Sequence, residues 1–491
     1  MVDSLSAGKP FRRLLMNNYM HMKSAHQYYR DVFSREIMLG DVGDLPKDMI
    51  IDLIGKRSCD IYQLNKKLAE SPSNLPEAQD KALRLMLQTI ALSNLAFDDK
   101  WGGQQVKLPP DYVEGIVNSL IDAINLTPNL EYLVASIQIL FRVGAVEHAV
   151  ALIESNFSLL VDVPVVFKIL LLTCIVEENY EYAFLLVKKM TENSYLIGED
   201  PLALLMIVTT IFKNGAYPNS YIDFTSLVSA RNQLPYESYT WLLQKENKNK
   251  KPTVLVSCDV KYYHQHTIYL LYSLYETNKD SLNVHIHVYN IDDETFNDIK
   301  AKKQQFPELN ISCSTETFGD VPGVNVHYAS RRFIFASYLL SINEGPLLIL
   351  DADCLVRKNW SLIEHSIDLS GDVLITKDDN SPFWEKVFAG FVYLKGGELS
   401  TAFIDKVAHF IWDNLYKNNV VWFLDQVALS AAVDEIPEMH DISRIDSTSA
   451  CDVNHRENSF AWVVTTIKDA QNRYSEYKDY LVEKYENKIN N

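Results

Sequence analysis

In the segment GPLLILDADCLV, four consecutive apolar residues, Leu347 to Leu350, are followed at once by Asp351 and Asp353. The pattern predicts a buried strand that delivers two carboxylates where it runs out. Two carboxylates left unpaired in a dry site cost several kcal/mol each, so they require a cation or strong donors. Hard oxygen ligands of this kind suit magnesium or manganese, which take one or two carboxylates together with phosphate oxygens and waters. The chemistry implied is metal-assisted handling of a diphosphate. Asp-x-Asp occurs once in the chain, at the end of its most apolar β-like run. The plainer alternative is a solvated turn after a strand.

A second acidic pair, Asp378 and Asp379 in ITKDDN, also follows a β-like run. It offers a general base for an acceptor, or hydrogen-bond acceptors for the hydroxyls of a bound sugar.

The elements that must position these groups follow from periodicity. TVLVS, NVHIHVYN, NISCS, PLLILD and VLIT are short β-rich runs separated by amphipathic, helix-length segments. That alternation predicts an α/β domain with a mainly parallel sheet, in which ligands bind beyond the carboxyl ends of the strands. His285 and His287 alternate with Val284, Ile286 and Val288 and are expected on the polar face of one strand.

Before about Leu243 the apolar spacing is helical instead. Leu133, Ile137, Leu140 and Phe141 share one face, and Val146, Ala149, Val150 and Ile153 another, giving a helix pair that turns at Gly144. A shift of 34 residues maps these onto Phe167, Leu171, Cys174 and Ile175, and onto Tyr180, Ala183, Phe184 and Val187, all small or apolar. Period and unit resemble tetratricopeptide repeats, with a third unit starting near Leu202 in slipped register. The expectation is an α-solenoid; the alternative is a non-repeating helical bundle. KENKNKKP, Lys245 to Pro252, reads as a charged surface linker closed by proline. The chain is therefore expected to divide into an all-α domain over 1–245 and an α/β domain over 251–491.

At 491 residues the chain exceeds the roughly 250–300 at which a single core stops growing, which agrees with that division. Hydrophobic residues at 47% and charged residues at 22% are ordinary for a globular protein. A formal charge of −18 repels nucleic-acid phosphates and anionic lipid, so no nucleic-acid partner is expected. An anionic nucleotide ligand would need a cation in its site. The six scattered cysteines lack zinc spacing and read as reduced, mostly buried thiols. Neither a signal-peptide core near the start nor a 20-residue apolar span is present, so no transmembrane segment and a cytoplasmic location are expected.

With these residues in view, 253–430 resembles the GT-A glycosyltransferases, a Rossmann-like nucleotide-diphospho-sugar transferase fold. Within them it is most similar to glycosyltransferase family eight, which includes glycogenin and bacterial galactosyltransferases. VSCDVKYYHQHTIYLLYSLYE resembles the family's first strand and helix, where an aspartate and a tyrosine hold uracil and ribose; Asp259 and Tyr262 or Tyr263 take those positions. RRFIFASYLL resembles the helix before the metal strand and makes Arg332 the donor-contacting arginine, with Arg331 as alternate. LLILDADCLV matches the metal motif. FAGFVYLKGGELS and FLDQVALS resemble the sugar and acceptor segments, the latter giving Asp425 and Gln426, although Phe388 stands where the family has asparagine. The family's C-terminal ligand motif is missing, which leaves His455 or His440 as third metal ligand and Lys468 on the diphosphate.

The resemblance implies a transferase that uses Mn2+ or Mg2+ and a nucleotide-sugar, with UDP as the carrier and retention at the anomeric carbon. Its acceptor would be a protein, peptide or glycan held in part by the helical region. Two other classes compete: a helical-repeat interaction scaffold with an inactive transferase domain, and a sugar-1-phosphate nucleotidyltransferase. The latter requires a Gly-rich opening loop, and VSCDVKYYHQH contains no glycine.

Overall fold

The computed structural model describes residues 27–71, 74–97, 107–198, 200–218, 221–229, 232–245, 249–343, 345–366, 371–435, 442–465 and 468–486. The chain forms two compact units that divide at Asn214/Gly215.

The first unit is helical. Helices Leu130–Arg142 and Val146–Ser155 form the expected pair, and Pro164–Val176 and Tyr180–Glu192 repeat it at an offset of 34 residues at both helix starts. The turns repeat too. Gly144 has φ +82° and Glu178, 34 residues on, has φ +57°. In each turn the residue that follows donates its backbone N–H to a carbonyl five residues back, Ala145 to Leu140 and Asn179 to Cys174. A left-handed residue at this position ends a helix by satisfying its last carbonyls. At Gly144 a Cβ would come within 2.6 Å of Arg30 Nη1, the tip of a flexible side chain, so it is the positive φ that favours glycine there. The next helix, Pro201–Lys213, begins 37 residues after Pro164, which is the expected slip. One face departs from expectation. Phe184 is 43% exposed, while Tyr182, Leu186 and Met190 are buried, because the helix is rotated relative to its counterpart.

The second unit is built on an eight-stranded sheet in the order β1-β4-β3-β2-β5-β8-β7-β9. Its strands are β1 (Tyr239–Leu243), β2 (Thr253–Asp259), β3 (Asn283–Tyr289), β4 (Ser312–Glu316), β5 (Leu347–Leu350), β7 (Val373–Lys377), β8 (Val387–Leu394) and β9 (Ile442–Ile445). A smaller sheet, β10-β11-β6, joins Cys451–Asp452, Ala461–Val463 and Cys354–Val356. All five expected strands are present, and the sheet is mainly parallel as expected, with antiparallel strands mixed in. β4, β3, β2 and β5 pair parallel, as do β7 and β9, while β1 and β8 run against them through antiparallel pairings with β4, β5 and β7. β1 lies within the region expected to be helical: it pairs with β4 through Tyr239↔Glu316 and Trp241↔Ser314. Residues 215–243 thus belong to the second unit. Five residues are too few for periodicity to separate a strand from a helix end.

Chain order explains where a site must form. From β2 the chain moves to β3 and β4 on one side and then returns to β5 on the other. The strand order therefore reverses between β2 and β5, the place where open α/β sheets leave a crevice at their carboxyl ends. β5 is wholly buried, and each leucine removed from water stabilises by about 1.5–3 kcal/mol. That burial pins the strand whose next residue is Asp351.

His285 and His287 are not on a polar face; both are fully buried. His285 bonds the hydroxyls of Ser312 and Ser314, each at 2.8 Å, and Phe335 stacks on both rings. Helix α1 (Val324–Ile342) covers this side of the sheet and turns a nominally polar stripe into core. Burial lowers both histidines, and it lowers His327 to about 4, helped by Arg331. These rings fold neutral but charge in the unfolded chain below their ordinary value near 6.5. Their contribution is therefore present above that pH and lost as pH falls toward 4. Urea unfolding is expected to show stability of this unit declining between pH 7 and pH 5, and His327→Gln should flatten that decline. A profile unaffected by the substitution would contradict the assignment.

Among the described residues no helix is long and apolar enough to cross a membrane.

Candidate active site

At the switch point lies a cavity of about 570 Å³, inside the range of small-molecule sites. It is lined from β2 and the turn after it by Ser257, Asp259, Lys261 and Tyr262, and from α1 by Asn325, Tyr328 and Arg332. The turn after β5 contributes Asp351 and Asp353, and β8 contributes Phe388 and Gly390. Trp422, Phe423, Asp425 and Gln426 enter at the start of helix α2 (Leu424–Glu435).

Each group is held by its local structure. Asp259 ends β2 and caps the following turn, accepting from the Tyr262 backbone N–H at 2.7 Å. Leu350 is the last residue of β5, and the chain then turns through Asp351 to Asp353, with Cys354 N–H donating to Asp351 O at 3.3 Å. Tyr474 Oη fixes the far side of this turn by donating to Asp353 O at 2.8 Å. Arg332, buried on α1, donates to Asp351 Oδ1 and, at 3.3 Å, to Asp425 Oδ2. Burial alone would lower its pKa, but the two carboxylates hold it above the ordinary value. It is a permanent cation that orients both.

Asp353 is placed differently. Tyr262 Oη stands 3.5 Å from its Oδ2, and it takes part in no ion pair among the described residues. Burial, and then the charge of Asp351, push its carboxyl well above the usual range. Tyr262 is pushed up to about 12, by burial and then by Asp353 and Asp351, so its phenol stays neutral. Four aspartates line the cavity, against Lys261 and Arg332. Two adjacent hard-oxygen carboxylates in cation deficit fit a divalent ion. No set of three or more His, Cys, Asp or Glu suited to a metal occurs among the described residues, so phosphate and water oxygens would complete the coordination.

Gly390 makes this arrangement sterically possible. β8 pairs antiparallel with β5, which sets Gly390 against the Asp351 turn, and an added Cβ would lie 2.4 Å from both Asp351 Oδ2 and Phe388 Cζ. Asp351 has little freedom to yield because Arg332 holds it. Gly390→Ala is expected to push Asp351 off its position and cut cation-dependent activity about 10-fold or more with the fold retained. A variant as active as wild type would contradict this.

The structure brings together Asp259, Tyr262, Arg332, Asp351, Asp353, Asp425 and Gln426 in one cavity. Other expected residues lie elsewhere. Tyr263 is fully buried and donates to Asp298 Oδ2 at 2.7 Å, because consecutive helical residues face different ways. Arg331 pairs with Glu316, which leaves Arg332 as the cavity arginine. Asp378 is used within its own turn by Asn380 N–H and Ser381 Oγ, each at 2.9 Å. Asp379 is exposed and paired with Lys377 at 3.0 Å. Neither Asp378 nor Asp379 lines the cavity. His455 is buried, with both ring nitrogens covered by carbonyls, Ala470 O at 2.5 Å and Val463 O at 2.6 Å, so neither nitrogen is open to a metal. Lys468 opens the last helix, Lys468–Tyr485, but its side chain lies outside the described residues, as does His440. Lys261 and Trp422 were not expected, although each lies within four residues of a motif position.

No protein-family model matches the chain, and no curated protein matches it. Among solved structures it is similar to the glycosyltransferase GlyE of Streptococcus pneumoniae TIGR4 in the apo form, at 14% identity and a TM-score of 0.31 over 41% of this chain and 46% of that one. It is also similar to the galactosyltransferase LgtC in complex with donor and acceptor sugar analogues, at 14% identity and a TM-score of 0.33 over 46% and 95% of the two chains. Mouse xyloside xylosyltransferase 1 gives 13%, 0.29, 41% and 87% in the same order. The chain spans 46% and 64% of the lengths of the two GlyE structures.

Proposed function

We propose that this chain is a metal-dependent glycosyltransferase of GT-A type, resembling family eight, that moves a sugar from a nucleotide-sugar to an acceptor hydroxyl. One observation carries the proposal: Asp259, Tyr262, Arg332, Asp351 and Asp353, taken from three separate sequence motifs, line one cavity at the strand-order reversal.

In this reading Asp351 and Asp353 hold Mn2+ or Mg2+, which when bound offsets charge developing on the departing diphosphate. Arg332 keeps Asp351 aimed into the site. Tyr262, at 41% exposure, offers its ring and neutral hydroxyl to the nucleoside, and Asp259 offers a carboxylate to the edge of a uracil or to a ribose hydroxyl. Lys261 stands where a diphosphate needs positive charge. Retention is supported by the engagement of the carboxylates: Asp259 is a cap, Asp351 and Asp425 are bound to Arg332, and Asp378 and Asp379 lie outside the cavity. An inverting enzyme requires a carboxylate aimed at the acceptor.

The helical unit carries the tetratricopeptide-like part of the proposal, supported by its 34-residue offset and its repeated left-handed turn. Stacked pairs of this kind form concave surfaces for extended ligands.

Thermal shifts with manganese and a panel of nucleotides test the donor. UDP at about 100 times its dissociation constant is expected to add about 2.7 kcal/mol, and GDP far less. Tighter binding of GDP would overturn the uridine assignment. Failure of every nucleotide-sugar to be hydrolysed or transferred with manganese present would overturn the proposal.

A further inference from the structure

We infer that Trp422 is a stacking platform for the pyranose ring of a neutral carbohydrate acceptor. This rests on the transferase proposal and narrows its acceptor from protein, peptide or glycan to a glycan.

Trp422 is 57% exposed although it lines the cavity, and its neighbours Val421 and Leu424 are buried. The turn that presents it is unusual. Phe423 has φ +73°, in the left-handed region that bulky residues avoid. That single residue lets the chain pass from buried Val421 to buried Leu424 while the indole faces the cavity and solvent. An exposed indole gains nothing from the core, so the fold maintains an unusual backbone to keep a large aromatic face at the opening.

The chemistry of the lining selects the occupant. A pyranose presents a face of C–H bonds that packs on an aromatic ring, and an equator of hydroxyls that needs planar hydrogen-bonding groups. The Gln426 carboxamide, four residues after Trp422, lines the same cavity and makes no side-chain hydrogen bond among the described residues. With Arg332 engaged by two of the four lining aspartates and Lys261 assigned to the diphosphate, the lining leaves no cation for an anionic acceptor, whereas an uncharged sugar needs none.

The test uses the full chain with manganese and whichever UDP-sugar it hydrolyses, and offers neutral methyl hexopyranosides, short neutral oligosaccharides, and serine- or tyrosine-containing peptides as acceptors. Wild type is expected to transfer to one or more neutral sugars. Trp422→Ala should raise the acceptor KM about 10-fold and lower the ratio of transfer to hydrolysis by a similar factor. Trp422→Tyr should recover most of the KM, a rescue that a merely structural role would not produce. Transfer to peptides with sugars ignored, or an unchanged acceptor KM in Trp422→Ala, would overturn the inference. A wild-type chain inert toward every nucleotide-sugar would remove the transferase proposal and this inference with it.

Discussion

Asp351→Asn and Asp353→Asn are each expected to reduce sugar transfer by about 100-fold or more while moving stability in opposite directions. Asparagine keeps the size and one acceptor oxygen but removes the charge that holds a hard cation, so both variants lose activity together with manganese affinity. Stability separates them because their partners differ. Asp351 accepts from buried Arg332, and its neutral replacement forfeits a charge-assisted hydrogen bond worth about 2 kcal/mol. Asp353 has no cationic partner among the described residues, and burial beside Asp351 raises its carboxyl above its unfolded value. A carboxyl raised in this way is favourable to folding at low pH, and that contribution is lost as pH rises through the folded value. In metal-free protein at pH 8, Asp353→Asn should therefore melt above wild type and Asp351→Asn below it, with the Asp353 gain fading toward pH 4. Full activity in either variant, or in wild type after thorough chelation, would reduce the motif to a solvated turn.

Arg332→Met is expected to be the most destabilising single change in the site. Methionine fills the volume but leaves Asp351 and Asp425 facing a half-buried cavity without their shared counter-charge. Removing one partner of a buried ionic cluster costs about 3–5 kcal/mol, far more than an exposed pair would. For a unit of this size that lowers the melting temperature by roughly 10 °C. Arg332→Lys should recover only part, since an ammonium supplies charge but not the planar fork that reaches two aspartates. A melting temperature for Arg332→Met within about 2 °C of wild type would show that water, not Arg332, satisfies the carboxylates.

Many of these features are legible in the residues alone. LLILD reads as a buried strand ending in acid, and β5 followed by Asp351 is what forms. The 34-residue offset in the helical unit is visible because repeated packing imposes repeated apolar positions, and it extends to the left-handed turn residue at 144 and 178. Asp259, Tyr262, Arg332, Asp425 and Gln426 follow from motif resemblance, and they converge because the strand order brings β2 beside β5.

What the residues by themselves determined was the chemistry on offer: two carboxylates at a strand end, an arginine pair on a helix, an aromatic pair after the first strand. Which member of each pair serves was decided by tertiary structure. Arg331 and Arg332 are equivalent in sequence, yet α1 turns one toward Glu316 and the other toward Asp351, because successive helical residues point about 100° apart. Tyr262 and Tyr263 part in the same way, one into the cavity and one into the core. His455 could be named as a ligand from its type alone, but only the folded chain shows two carbonyls at its ring nitrogens. Asp378 and Asp379 match Asp351 and Asp353 in pattern, but β7 is separated from β5 by β8, so its end opens elsewhere than the β2–β5 reversal. Local sequence sets residue type and strand polarity, whereas proximity across a sheet depends on strand order, which non-local packing decides.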